Sequence, residues 1–184
     1  MQAQLSIKHD ILRRGKVLND KFAATAFALG AMMLLHSGVA NAESIKFNYT
    51  KTARQILSSH TSAVGDAAGH EIVQYVIRDT IGRSSGLELV DELMFEQDIA
   101  IAGTGTHRGF SVNGLRSGEK LYQRWEGNHQ TTVKEGGDWE MTYSGKSQII
   151  GGTGKYQNAK GWCNYKGRMT AASLAEDNDC SMEY

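Results

Sequence analysis

The sequence contains no proline and only two cysteines, and its 20 basic residues are matched by 20 acidic ones. The missing proline excludes Pro-rich linkers and polyproline recognition segments. Charge balance excludes the basic footprint of a nucleic-acid binder, and no polybasic stretch offers a seat for anionic lipid. Two cysteines fall short of a structural zinc site, which takes four ligands. The four histidines beyond residue 42, His60, His70, His107 and His129, show no ligand spacing. No metal and no cofactor are therefore expected. No serine sits in a nucleophile elbow.

Glycine-rich segments are present, but none is a phosphate loop. In Gly151-Gly152-Thr153-Gly154-Lys155-Tyr156, tyrosine stands where the magnesium-binding hydroxyl belongs. Gly145-Lys146-Ser147 has Glu140 in place of the first glycine. After Gly103-x-Gly105, Arg108 occupies the third position of a dinucleotide fingerprint. Glycine-rich turns between strands account for all three.

The first forty residues are set apart from the rest. Lys8, Arg13, Arg14, Lys16 and Lys21 form a basic run, Phe22 to Leu35 is apolar, and Ala40-Asn41-Ala42 follows with small residues at the cleavage positions. This order predicts an export signal over residues 1–42, removed after Ala42. A membrane anchor is the competing reading, but His36 and Ser37 interrupt the run before the length a span needs. Arg13-Arg14 leaves twin-arginine export as an alternative to the general route. The expected product is periplasmic or secreted, with no membrane partner once the signal is gone. Residues 43–184 then form one domain with 15 basic and 18 acidic residues. Outside the cytoplasm, Cys163 and Cys180 are most simply one disulfide; two free thiols are the alternative.

The mature region has a period of two. Val73, Tyr75 and Ile77 share a face with Glu71 and Asp79. Leu87, Leu89, Asp91, Leu93, Phe95, Gln97, Ile99 and Ile101 share another, read as the inner side of a long strand that a bulge must bend. Strands are predicted at 45–51, 69–80, 86–102, 104–112, 119–132, 139–150 and 161–172, and Thr52–Val64 has a faint helical pattern. Tight turns between short strands indicate an all-β sandwich or barrel, and closure into a barrel removes exposed edges.

One stretch is more specific. Ile149 to Gly161, with Gly151-Gly152-Thr153-Gly154-Lys155-Tyr156 followed by Ala159 and Gly161, resembles the "GGTGKF-x-x-A-x-G" signature of the allene oxide cyclase and dirigent barrels. The resemblance covers about 13 residues. It implies an eight-stranded antiparallel up-and-down barrel, with a homotrimer as an expected assembly. It also implies a small apolar, polyketide-like or lipid-like ligand inside, with isomerisation or cyclisation as the chemistry to test for. It brings no catalytic residue with it.

Site candidates come from the face patterns. Asp91 interrupts an apolar face, and a desolvated carboxylate is suited to acid–base work. Tyr75, Phe95, Gln97, Trp125, Trp139 and Tyr143 are the expected ligand wall, aromatic bulk with polar tips. Ordinary core packing is the alternative for each aromatic. A non-catalytic carrier or an oligomeric interaction module is the alternative for the whole.

Overall fold

The computed structural model describes residues 42–184; the predicted signal, apart from Ala42, lies outside the described residues. Eight strands run in order: β1 Ser44–Ala63, β2 His70–Ser85, β3 Leu89–Ile101, β4 Thr104–Leu115, β5 Lys120–Val133, β6 Trp139–Gly152, β7 Lys160–Thr170 and β8 Leu174–Glu183. Each pairs antiparallel with the next, and β8 returns to β1, closing the up-and-down barrel that was expected.

Two elements differ from expectation. Thr52–Val64 is no helix: β1 continues through it, because residues 53–63 find an antiparallel partner in the β-branched run of β2. The strand that closes the barrel, β8, is absent from the predicted strands, which end at 172. Its alternation of Leu174, Glu176, Asn178, Cys180 and Met182 puts every second residue inside, but polar letters at half of the early positions hide the rhythm.

The glycine-rich signature closes one end. Gly154 has a positive φ of 59° and opens a single 3-10 turn, Gly154–Tyr156. That turn drives Tyr156 and Ala159 into the barrel bottom, against Phe47, Leu89, Leu115, Leu121, Ile149 and Met182. Glu119 accepts from the Lys155 amide and Thr153 Oγ1 accepts from the Lys120 amide, fixing the turn to β5. Cys163 and Cys180 lie opposite each other on β7 and β8 and are joined in a disulfide within this core.

The sheet does not remove every edge. β1 pairs with β8 only from Ser44 to Lys51, so beyond Lys51 its outer side has no strand beside it. We call this segment the arm. The end of the barrel it flanks is opposite the core just described.

The inner face of β3 is the reverse of the sequence reading. A bulge between Leu89 and Asp91 adds a residue against β4. In a period-2 strand one extra residue exchanges the two faces. Leu87 and Leu89 point inward, but after the bulge Glu92, Met94, Glu96 and Asp98 are the buried set. Asp91, Leu93, Phe95 and Gln97 are carried to the outside.

Candidate functional site

Two layers of inward side chains lie above the apolar end, and the strand register defines both. Tyr49, Asn178, Tyr165, Gly145, Gly127, His107 and Asp98 succeed one another around the first. Lys51, Glu176, Gly167, Tyr143, His129 and Gly105 form the second. The glycines make room for the rings. A Cβ on Gly145 would lie 2.2 Å from the Tyr165 hydroxyl, and one on Gly167 would lie 2.2 Å from the Tyr143 ring.

A charged network crosses the interior. Lys51 Nζ lies 2.9 Å from Glu176 and 3.8 Å from Asp79. It also approaches Glu92 Oε2 at 2.5 Å, as an ion pair without hydrogen-bond alignment. Arg54 donates two bonds to Asp79, of 3.0 and 2.9 Å, and stands 3.8 Å from Glu96. Glu176 also accepts from the Tyr143 hydroxyl and from Asn178 Nδ2, both at 2.9 Å. Burial by itself lowers the Lys51 pKa, but Glu176 and Glu92 more than offset this and hold it well above the ordinary lysine value. Burial likewise opposes the charge on Glu176, yet Lys51 holds its pKa below the usual carboxylate range.

Beside this network the groups are shifted toward neutrality. Burial pushes Glu96 up to about 8, against the pull of Arg54 and with the push of Asp98 two residues along. Asp98 is raised by burial too. Burial, then the neighbouring His129, lowers His107 to about 4, so its imidazole is neutral at physiological pH. Tyr143 and Tyr165 are raised by burial and by Glu176, and both remain protonated. His107 Nε2 sits 2.8 Å from the Tyr165 hydroxyl. The His107 ring touches Trp125, His129, Tyr143 and Tyr165, at centroid distances of 5.4–5.9 Å.

These residues enclose a cavity of about 30 Å³, lined by Lys51, Arg54, Glu96, His107, Gln123, Trp125, Met141, Tyr143, Tyr165 and Glu176 among others. It is room for about two waters. Its wall sets ionisable groups beside aromatic rings and methionines, more charged than the aromatic bulk with polar tips that was expected. Gln123 Nε2 and Trp125 Nε1 are buried with no hydrogen-bond partner. Buried polar atoms of this kind are uncommon and call for a reason.

The expected site residues separate into three groups. Trp125 and Tyr143 line the cavity. Tyr75 is half-buried opposite Glu96, and Trp139 is half-buried at the first position of β6; neither reaches the cavity wall. Asp91, Phe95 and Gln97 are outside, because the β3 bulge reverses the face; Gln97 there accepts two bonds from Arg108. Lys51, Arg54, Glu96, Tyr165 and Glu176 were not among the expected site residues, and His107 was noted only as a histidine without ligand spacing. The available signal was Glu92-x-x-x-Glu96-x-Asp98, acidic residues alternating on a strand, which reads as a solvated face. Asp79, which shares its face with Val73, Tyr75 and Ile77, is fully buried between Arg54 and Lys51.

No protein-family model matches this chain, and no curated protein matches its sequence. Among solved structures it is similar to the pterocarpan synthase dirigent protein GePTS1. The two are 13% identical, with a TM-score of 0.45 over 78% of this chain and 86% of the other. A likeness at that level carries no functional argument, and the eight-stranded barrel stands on its own strand pairing.

Proposed function

We propose that this protein is an exported ligand-binding barrel. Its ligand enters from the arm end and seats against Trp125, Tyr143, Tyr165 and His107. The observation that carries this reading is the pair of unpartnered donors, Gln123 Nε2 and Trp125 Nε1, in and beside the cavity wall. They call for a small molecule that presents a hydrogen-bond acceptor, with an apolar or aromatic body to lie on the rings. The cavity of about 30 Å³ is too small for such a body at rest. Entry therefore displaces Met141, the most adaptable side chain of the wall. Export rests on the basic, apolar and small-residue order of residues 1–42, and a disulfide is compatible with an oxidising compartment.

The same wall supports steering of an isomerisation or cyclisation. A neutral imidazole bonded to a tyrosine hydroxyl can take and return a proton, while Lys51 and Arg54 balance developing negative charge. A carrier uses the same pocket without turnover. Native mass spectrometry of protein purified from its own host tests the common element. A co-purifying small molecule is expected, lost from Met141→Trp and retained by Asp91→Asn. Protein free of any such species, with Trp125 emission unmoved by host lipid extract, refutes the binding reading.

A second observation favours self-association. Phe95, Phe110 and Trp162 are 45%, 60% and 57% exposed along one outer row that crosses β3 to β7, with Arg124 and Gln148 between them. A second copy of this chain is the occupant we propose, in a homotrimer. Sedimentation of wild type against Phe110→Glu separates an assembled state from a monomer, and a wild-type monomer at high concentration rejects it.

A further inference from the structure

The interior holds a second cluster, of which the ligand reading uses only His107. Asp98 of β3, His107 of β4 and His129 of β5 are far apart in sequence, but register places Asp98 opposite His107 and His129 one inward position along from Gly127, the residue opposite His107. One donor atom from each lies within 4.8 Å of the others. All three residues are more than nine-tenths buried, and Asp98 Oδ1 and His129 Nδ1 have no hydrogen-bond partner.

We propose that Asp98, His107 and His129 bind a divalent transition-metal ion of the Zn²⁺ type. Two imidazoles and one carboxylate are a donor set suited to zinc and its neighbours, and poor in the oxygens that Ca²⁺ or Mg²⁺ requires. Ligands at about 2.1 Å from a metal lie roughly 3–3.5 Å apart. The cluster therefore closes by rotation of side chains, without strand movement. A metal supplies the missing partner for both orphaned atoms at once. Tyr165, 2.8 Å from His107 Nε2, fixes that ring. Lys51 and Arg54 pair with Asp79, Glu92, Glu96 and Glu176, and among the described residues Asp98 has no lysine or arginine at ion-pair distance. With three protein ligands, the ion keeps a further position for water or for an acceptor atom of a bound molecule.

The purified protein, stripped with chelator, is titrated with Co²⁺ as the optical probe. We expect one ion per chain with visible ligand-field bands, bleached by Zn²⁺ and unaffected by Mg²⁺ or Ca²⁺. Asp98→Asn with His129→Gln weakens binding at least about 10-fold, since even changes to residues behind the ligands have that effect. His60→Ala with His70→Ala leaves it intact. Nitrogen NMR of the imidazole rings in wild type requires no variant to fold. Zn²⁺ must shift His107 and His129 while leaving His60 and His70 in place. Absence of Co²⁺ uptake, shifts confined to His60 and His70, or unchanged affinity in the folded double variant overturns the site. Ligand retention after metal stripping leaves the ligand reading standing on its own evidence.

Discussion

Lys51→Met removes the one charge that three buried carboxylates share, while leaving a side chain of similar length. Glu176 and Glu92 are then buried without the cation that stands 2.9 and 2.5 Å from them. Breaking a buried ion pair from one side costs about 3–5 kcal/mol, most of it for the stranded charge. For a domain of this size about 1 kcal/mol moves Tm by roughly 2–4 °C, so the expected fall is about 6–20 °C. The pH dependence has a definite sign. In wild type Glu176 has a depressed pKa, so its contribution is present above the unfolded carboxylate value, near 4.3, and is lost as pH falls through the folded value. Without Lys51, burial dominates at Glu176 and raises its pKa, so protonation relieves the variant. The stability gap therefore narrows as pH falls from the variant's raised Glu176 value through the unfolded value, near 4.3. Calorimetry or denaturant unfolding of both proteins from pH 7 to pH 4 measures it. A loss under about 1 kcal/mol at neutral pH, or a gap that widens in acid, refutes the view that Lys51 balances the interior.

Replacing both Cys163 and Cys180 by Ala releases a 17-residue separation, which loop-closure entropy values at about 3 kcal/mol; denaturant midpoints with and without the bond measure it. Gly145→Ala places a methyl 2.2 Å from the Tyr165 hydroxyl. It should destabilise by about 1–3 kcal/mol and break the His107–Tyr165 bond, which imidazole NMR detects. Phe110→Glu, on the outer row, should abolish self-association yet change monomer stability by under about 0.5 kcal/mol; sedimentation and thermal melts together separate the two effects. Asp91→Asn should change neither bound ligand nor melting temperature by a measurable amount, because its carboxylate lies on the outer side of β3.

The period-2 alternation and the turn residues determined by themselves that the chain from residue 45 to about 172 is mostly antiparallel strand, the arm of β1 and the closing strand β8 excepted. The Gly151–Gly161 stretch implied an eight-stranded barrel through its resemblance, and the export proposal rests on the order of charge, apolar run and small residues over residues 1–42. Trp125 and Tyr143 were legible as inward because β5 and β6 alternate without interruption between those residues and their neighbours on the wall. What the sequence left open was decided by pairing. The bulge beside Leu89 is set by how β3 meets β4, and it sent Phe95, Gln97 and Asp91 outward and Glu96 and Asp98 inward. The arm of β1 became a strand because β2 lay beside it. The interior charges were unreadable because a lone acidic residue on a strand signals solvent. Only the barrel brings Lys51, Glu92 and Glu176 within ion-pair distance, and only there does mutual neutralisation permit burial. Likewise Asp98, His107 and His129, without any spacing in sequence, converge because adjacent strands in register place equal heights side by side.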